Sequence, residues 1–404
     1  MPLLLSFRPV GKTLTLLLAG AGLCLANGCG HGHFFVNTGG GGGNTTGVGN
    51  YLYVGTQTGV IAGYAVSTAG ALSAVANTPF NFSQAGTAVS SMVVTPSDKF
   101  MYAGTTGGGV YLLTINSSNG ALTVGNNGAA IAADVAPIVL RVDPTGKFLL
   151  SAGFDPSTGT AAIAVYTINT DGTLTIIGTP VGIPLPAGAA ATSSPVQMAV
   201  MPNNSFVFVS MGTVGVVSMT FNSSGQLSQT GKTNAPGTVT GPTGPVPNQD
   251  IALAINSTGT LLFIGETNVG VRVNTIAADS SLTAVAGSPF KTAGQPSSFS
   301  FDSSGGYLYV TNQSTNNITG FSVLASGALT ELTTAGSPFA AGTSPTSLSL
   351  DQSKKFLAVT NVGGTPDLQV YSFDATTAGK LVPGATASTS SSSPGTAFVV
   401  TSTH

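Results

Sequence analysis

The segment DSSGGYLYVTNQSTNNITGFSV, residues 302–323, contains a Gly-rich turn and two stretches in which apolar residues alternate with polar or small ones. Alternating stretches bounded by turn-forming residues predict β-strands, here two strands joined by a polar loop. The connecting loops are short, and short connections join antiparallel strands. The segment therefore predicts an antiparallel meander, and its central phrase, YLYVTN, recurs in variant form along the whole chain.

The phrase occurs seven times, at regular intervals. Its copies begin at Tyr51, Phe100, Phe148, Phe206, Leu261, Tyr307 and Phe356. Successive copies start 46 to 58 residues apart, and a period near 50 is typical of propellers and other repeat arrays. Each unit carries four strand signals, which in the sixth unit are residues 296–301, 307–312, 318–323 and 328–332. Four-stranded sheets repeated radially form a propeller, so the sequence predicts an all-β fold, a seven-bladed β-propeller of four-stranded antiparallel blades.

The two ends of the repeat region complement each other. The first unit begins at Tyr51, on a second strand, and lacks a first strand. The chain ends with PGTAFVV, residues 394–400, which matches the first strand that begins at Pro345. The sequence thus predicts a ring closed by the C-terminal strand, with Ala397–Val400 beside Tyr51–Val54, and a propeller domain over residues 50–404. Closure would remove the open sheet edges of a linear array.

The first strands share a pattern of large and small residues. One column of large side chains contains Met92, Leu140, Met198, Leu253, Phe299 and Leu348. The opposite face carries small residues: Ala199, Ala254, Ser300 and Ser349. Large residues facing small ones allow neighbouring blades to pack closely. Arg141 interrupts the small column, where we expect it either to bind substrate or to pair with an acid inside the barrel.

The N-terminal region has the features of an export signal. Arg8 and Lys12 precede the apolar stretch Thr13–Ala26, which suits a signal peptide better than a membrane span. The sequence Ala26-Asn27-Gly28-Cys29 resembles a bacterial lipoprotein signal, which predicts a signal peptide over residues 1–28 and a lipid on Cys29. Residues 29–49 are Gly-rich, as in a flexible tether. We therefore expect a periplasmic or surface location in the cell envelope and a lipid anchor in the membrane; the alternative is ordinary secretion with Cys29 an unused thiol.

Composition excludes some classes of function. Charged residues make up only 6% of the chain and the net charge is −2. No basic cluster is present to displace counterions from phosphates, so a nucleic-acid partner is not expected. Cys24 and Cys29 are the only cysteines, which leaves the propeller without a disulfide. His31 and His33 lack a third ligand nearby, so neither a metal nor another cofactor is expected. The protein is expected to be a monomer.

Several phrases of the repeat carry a family resemblance. YLYVTN, DPTGKF, GALT and AGSPF resemble the bacterial lactonase-like seven-bladed propellers, which include 6-phosphogluconolactonase and cycloisomerase-type members, and the related YVTN repeats. The resemblance covers residues 51–404 and implies a possible lactonase, which is a carboxylic ester hydrolase. It also implies that Arg, His and acidic residues in the cleft at the top of the central channel carry out the reaction. This chain departs from that pattern, because His404 is the only His of the propeller and Arg141 and Arg272 are its only Arg.

Loops at the top of the propeller hold the residues that could form a site. The candidates for ligand contact are Asp134, Arg141, Asp155, Asp250, Glu266 and Arg272. If Ile255 faces Leu261 across its turn, Asp250 lies opposite Glu266, an unfavourable pair of like charges. Either one carboxyl keeps its proton, or a cation or ligand bridges the two, or the loops separate them. Asp134 and Asp155 are expected near each other in the same way.

Two functions remain open on the sequence alone. The first is a binding or scaffold module for a glycan, a peptide or a partner protein, which the uncharged loops and missing His favour. The second is a hydrolase that opens a sugar lactone, which the resemblance favours. Lactone hydrolysis needs a base or activated water and a group that stabilises the oxyanion. An Arg converging with two acids in the top cleft would favour the hydrolase.

Overall fold

The computed structural model describes residues 49–81, 87–241, 244–389 and 397–404. The predicted signal peptide, nearly all of the tether and the lipidation site Cys29 lie outside this part. The described residues form 33 β-strands and two short 3-10 turns, arranged as seven antiparallel blades and one separate hairpin. Among these residues, no helix has the length and apolar character needed to cross a membrane.

Seven blades follow one another along the chain. Blade 1 contains β1 (Tyr51–Thr56), β2 (Val60–Val66), β3 (Leu72–Ala74) and β4 (Phe80–Asn81); blade 2 contains β5 (Val89–Val94), β6 (Phe100–Thr105), β7 (Val110–Ile115) and β8 (Leu122–Val124). Blade 3 contains β9 (Ala136–Val142), β10 (Phe148–Phe154), β11 (Ala161–Ile168), β12 (Leu174–Ile176) and β13 (Val181–Gly182); blade 4 contains β14 (Gln197–Val200), β15 (Phe206–Ser210), β16 (Val216–Phe221) and β17 (Leu227–Asn234).

A hairpin of β18 (Thr238–Gly241) and β19 (Gly244–Pro247) separates blades 4 and 5. Blade 5 contains β20 (Asp250–Ile255), β21 (Leu261–Glu266), β22 (Gly270–Ile276) and β23 (Leu282–Ala284); blade 6 contains β24 (Pro296–Phe301), β25 (Tyr307–Asn312), β26 (Asn317–Val323), β27 (Leu329–Glu331) and β28 (Phe339–Ala340). Blade 7 contains β29 (Pro345–Leu350), β30 (Phe356–Asn361), β31 (Leu368–Phe373) and β32 (Leu381–Ala387), and the last strand is β33 (Ala397–Ser402). The 3-10 turns are Asn126–Gly128 and Thr333–Ala335.

The ring closes through its last strand, as the sequence predicts. Strand β33 pairs antiparallel with β1 and supplies the missing first strand of blade 1, with Val400 opposite Val54. The first strands contact one another in cyclic order, and β33 lies between β29 and β5. Beyond the strand, the backbone N–H of Thr403 donates to the Tyr51 carbonyl at 3.0 Å. Each first strand described in the structure therefore has another first strand on either side of it around the ring.

The hydrophobic core lies between adjacent blades. The large column of the first strands is buried throughout, with Met92, Leu140, Met198 and Leu348 completely inaccessible to solvent. The interface of blades 2 and 3 is representative, because Tyr102 of β6 packs in one cluster with Leu140 and Leu149 of blade 3. Ala254, Ser300 and Ser349 of the small column are buried as well. Ala254 of blade 5 lies in one cluster with Phe299 of blade 6, which agrees with the predicted packing of large against small residues in neighbouring blades.

A repeated contact explains why the YLYV phrase recurs. In six blades the turn between the third and fourth strands contains a Gly-x-Leu sequence whose Gly has a positive φ; at Gly172, φ is +84°. In blade 5, Ser280 takes the place of this Gly. The first residue of the phrase in the preceding blade covers that Gly: a Cβ on Gly172 would lie 2.7 Å from the ring of Phe100. The third residue, where it is Tyr, donates a hydrogen bond to the Gly carbonyl. These bonds are Tyr53 to Gly120 at 2.8 Å, Tyr102 to Gly172 at 2.8 Å and Tyr309 to Gly379 at 3.0 Å.

Acids of the first-to-second turns have structural partners, as their sequence context suggests. The Asp143 carboxylate is buried and accepts hydrogen bonds from the backbone N–H groups of Lys147 and Phe148. Asp351 accepts the equivalent bonds from Lys355 and Phe356 in blade 7. Asp and Ser side chains stabilise turns by such local bonds. These carboxylates close turns and are not candidates for chemistry.

Candidate functional site

Asp250 and Glu266 lie directly opposite each other at the top of blade 5. Ile255 faces Leu262, so the register assumed from the sequence, with Ile255 facing Leu261, is wrong by one residue. An irregularity in register between Asp250 and Ala252 compensates for this difference and brings Asp250 opposite Glu266. Both residues are buried, with exposed fractions of 0% and 1%. The predicted juxtaposition of two acids is therefore present, and the idea that the loops separate them into water is wrong.

Arg272 bridges the two carboxyls from the third strand, β22. Its Nε lies 2.5 Å from Glu266 Oε1, and one terminal nitrogen lies 3.0 Å from Asp250 Oδ2. The other terminal nitrogen donates to the amide oxygen of Asn234, at the end of β17 in blade 4. About 11% of the Arg272 side chain remains exposed. We call Asp250, Glu266 and Arg272 the acid–arginine cluster.

The ends of the β18–β19 hairpin hold the cluster from the side of blade 4. The backbone N–H of Gly237 donates to Glu266 Oε1 at 3.1 Å, and the Asn248 amide donates to Oε2 at 3.4 Å. The backbone of Asp250 is tied to the same blade, because its N–H donates to the Gly212 carbonyl at 3.1 Å. Asp250 Oδ1, by contrast, is buried and has no hydrogen-bond partner among the described residues.

The surroundings of Asp250 change the pKa of its carboxyl. Burial raises the pKa of Asp250 well above its ordinary value; the Arg272 charge opposes this rise, and the Glu266 carboxylate adds to it. Close acids raise the pKa of one partner because both cannot ionise without repulsion. The surroundings of Asp250 therefore favour its neutral form, beside the Glu266 carboxyl that contacts Arg272.

The other blades serve as an internal reference for these positions. The sixth residue of the repeated phrase is Thr56, Thr105, Gly153, Met211, Glu266, Asn312 or Asn361. Residues facing that position across the sheet include Ala397, Val89, Pro137, Asp250, Pro296 and Pro345. At the position equivalent to Arg272, the other six blades have Ala62, Tyr111, Ala164, Val217, Thr319 and Gln369. All three charges thus replace residues that are uncharged in the other blades.

The fold does not require these charges. Desolvating buried ions is costly, and neutral or apolar residues of similar size often stabilise a protein equally well or better. Six blades of this chain are built with such neutral residues. Perturbed carboxyls beside a specific charged partner are typical of functional sites. The acid–arginine cluster is therefore the candidate site.

The remaining predicted site residues do not join the cluster. Asp134 accepts a hydrogen bond from the Tyr166 hydroxyl at 3.0 Å. Asp155 accepts from the backbone N–H and the hydroxyl of Ser157 in its own turn, and these bonds lower its pKa. The two acids thus have separate partners, unlike the pair in blade 5.

Arg141 is buried between blades 3 and 4. Two of its hydrogen bonds go to the Leu140 carbonyl at 2.7 Å and to the amide oxygen of Gln197. Burial lowers the pKa of Arg141 to about 9. In the described part of the chain, no group of three His, Cys, Asp or Glu side chains is placed to hold a metal ion.

Sequence reasoning missed the groups that blade 4 and the hairpin contribute, namely Asn234, Gly237 and Asn248. One signal for them was available. The copies of the phrase at Phe148, Phe206 and Leu261 are spaced by 58 and 55 residues, against 46 to 49 elsewhere. The extra residues before blade 5 form the hairpin whose ends hold Glu266.

Comparison with known proteins agrees with this architecture. Residues 51–381 match the family model "Lactonase, 7-bladed beta-propeller". No curated protein sequence matches the chain.

Solved structures support the same fold. A candidate 6-phosphogluconolactonase from Bacteroides fragilis superimposes with a TM-score of 0.65 at 16% identity, over 90% of this chain and 100% of the other. The periplasmic gluconolactonase of Pseudomonas aeruginosa gives a TM-score of 0.64 at 16% identity, over 88% and 99%. Since the family model spans most of the chain and the seven blades close as it requires, the chain belongs to the lactonase family of seven-bladed β-propellers.

Proposed function

We propose that this protein is a hydrolase that opens a sugar lactone at the acid–arginine cluster. The observation that carries the proposal is the convergence of Arg272, Asp250 and Glu266 at positions that are neutral in six other blades. Family membership supports lactone chemistry, and a gluconolactonase among the structural neighbours supports a sugar lactone as the substrate class. Both favour hydrolysis over the scaffold function that the uncharged loops suggested.

The cluster contains the three groups that the reaction needs. A water oxygen bonds to the lactone carbonyl carbon, the ring C–O bond breaks, and a hydroxy acid results. Arg272 stabilises the negative charge that develops on the carbonyl oxygen. The Glu266 carboxylate takes a proton from the attacking water, and protonated Asp250 gives one to the ring oxygen. Transfer of the proton from Glu266 to Asp250 restores the starting state.

Burial determines how a substrate would approach. Arg272 carries the exposed edge of the cluster, whereas both carboxyls are covered. The lactone carbonyl therefore meets the guanidinium first. Because the carboxyls are covered, they exchange protons with the substrate through one water, a path open to a general acid or base.

A kinetic experiment tests the assignment to Arg272. We would measure hydrolysis of a panel of sugar lactones by the wild type, by Arg272→Met and by Arg272→Lys, with Lys355→Met as an exposed control. We expect the wild type to accelerate at least one lactone and Arg272→Met to lose about a hundredfold or more in kcat/KM. Circular dichroism would establish that the variants fold. A wild type without activity on any lactone, or full activity in Arg272→Met, would contradict the proposal.

We also propose that the protein works in the cell envelope, held by a lipid on Cys29. The support is the sequence around Cys29, where a charged segment and a short apolar stretch precede the Cys. Cys29→Ser should shift the protein from the membrane fraction to the soluble fraction, with Cys24→Ser as the control. Retention of Cys29→Ser on membranes would argue against the anchor.

A further inference from the structure

A cleft of about 360 Å³ lies between blades 4 and 5, outside the acid–arginine cluster. One wall is formed by the outer strands β16 and β17 of blade 4, and the other by the turn between β22 and β23 of blade 5. Its volume falls within the range of roughly 300–1,000 Å³ that is typical of small-molecule sites. Val216 and Leu282 provide apolar surface, and most other lining side chains carry hydroxyl or amide groups.

Ser280 breaks the repeat pattern at this cleft. The corresponding turn position in the other blades is Gly70, Gly120, Gly172, Gly225, Gly327 and Gly379, all with positive φ. Ser280 adopts φ +68°, a conformation that favours Gly, and it is 1% exposed. A side chain thus stands where six blades have none, although the backbone there is less favourable for it.

The Ser280 hydroxyl extends a network at the base of the cleft. It lies 2.9 Å from the Ser218 hydroxyl, which lies 2.8 Å from the Thr230 hydroxyl. The Thr230 hydroxyl donates to the Ser218 carbonyl at 2.7 Å. Hydroxyls can both donate and accept, so this base suits a ligand that does the same.

Charge at the mouth of the cleft favours a neutral ligand. The Lys232 ammonium lies 2.5 Å from the Asp279 carboxylate and 2.9 Å from the Ser281 hydroxyl, and it also donates to the Asp279 carbonyl. Its hydrogen bond is the largest cause of the lowered pKa of Asp279. The positive charge is thereby matched, and a carboxylate or phosphate ligand would have to displace Asp279.

Asn234 connects the cleft to the cluster described above. Its amide oxygen accepts from Arg272, while the side chain also lines the cleft. The amide nitrogen has no described hydrogen bond, and its two N–H groups can serve a ligand hydroxyl.

From this arrangement we propose that the cleft between blades 4 and 5 binds a small neutral sugar. The base of hydroxyls recognises the hydroxyl groups of the sugar, and Val216 and Leu282 contact its C–H surface. The site adjoins the acid–arginine cluster and shares Asn234 with it, but the binding of a sugar there does not depend on lactone hydrolysis.

Ser280→Gly provides a sharp test, because it restores the residue of the other six blades. We would titrate the full-length wild type with D-glucose and D-gluconate by calorimetry, and repeat the titrations with Ser280→Gly and Asn234→Ala. The control is Ser326→Gly, an exposed Ser in the matching turn of blade 6. We expect Ser280→Gly to lose about tenfold or more in affinity for glucose while melting at or above the wild-type temperature, and its affinity for gluconate, a carboxylate that Arg272 can hold at the cluster, to change less.

Two results would overturn the proposal. They are an absence of glucose binding, and glucose binding that is unchanged in Ser280→Gly. Because the readout is binding of a sugar that has no lactone bond, its failure would leave the hydrolase assignment intact, and failure of the hydrolase would leave this proposal intact.

Discussion

At the residue scale, Asp250 illustrates how one substitution within a repeat changes the chemistry of a site. Its position faces the sixth residue of the phrase, where blades 6 and 7 pair Pro with Asn. Blade 5 places two acids there and supplies Arg272 to bridge them. Burial raises the pKa of Asp250, so the folded protein holds this proton more tightly than the unfolded chain does.

The raised pKa predicts a particular dependence of stability on pH. A carboxyl whose pKa is higher in the folded state contributes stability that is complete below its unfolded pKa of about 3.9 and is lost as pH rises through the folded pKa. The free energy of unfolding should therefore decrease from mildly acidic to alkaline pH, and Asp250→Asn should flatten that decrease. Urea unfolding at a series of pH values measures both.

Asp155→Asn is the matched control for this prediction. Hydrogen bonds from Ser157 lower the pKa of Asp155, so its contribution is lost as the pH falls rather than as it rises. Asp155→Asn should keep the alkaline decrease of the wild type. An Asp250→Asn protein with the same alkaline decrease as the wild type would show that Asp250 does not hold the proton.

At the scale of the element, the repeated phrase and the Gly turn of the next blade form one packing unit. The first residue of the phrase covers the Gly, and a Tyr at the third position donates to its carbonyl. Sequence alone predicted the strands and their antiparallel order, because these depend on local periodicity and turn length. It also predicted that Asp250 faces Glu266, but from a register one residue off, which the irregularity between Asp250 and Ala252 offsets. The contacts of Asn234 and Ser280 join different blades, and no pattern within one blade determines them.

Tyr102→Phe tests this unit. Removal of the hydroxyl leaves the Gly172 carbonyl without its donor in a buried interface, which should cost about 1–3 kcal/mol in the free energy of unfolding. Tyr307→Phe is the control, because Tyr307 is half-buried and its hydroxyl has no described hydrogen bond. Equal stability losses in the two variants, measured by urea unfolding, would contradict a role for the bond between blades.

At the scale of the whole molecule, closure makes the N-terminal and C-terminal segments one blade. Strand β33 completes the sheet of β1, and beyond it the backbone N–H of His404 donates to the Asp98 carboxylate at 2.8 Å. The sequence predicted this arrangement from the missing first strand of the first unit. It could not predict that the interface of blades 4 and 5 would hold both the acid–arginine cluster and the cleft lined by Ser218 and Ser280, since both depend on contacts between residues of different blades.

Deletion of residues 397–404 should open the ring. Strand β1 would then present an unpaired edge, and open edges promote association between chains. We expect loss of the cooperative thermal transition or aggregation, whereas His404→Ala, which keeps the strand, should melt close to the wild type. A truncated protein with an unchanged melting temperature would show that closure does not stabilise the propeller.

Glu266→Gln tests the central claim, that the acid–arginine cluster hydrolyses a lactone, most directly. The substitution preserves size and removes the carboxylate that accepts the proton of the attacking water. Glu331→Gln, on β27 of blade 6, is the matched control. The measurement is kcat and kcat/KM on the best lactone of the panel, for variants with wild-type circular dichroism. We predict a loss of about a hundredfold or more in kcat for Glu266→Gln and none for Glu331→Gln; equal rates in all three proteins would contradict the assignment.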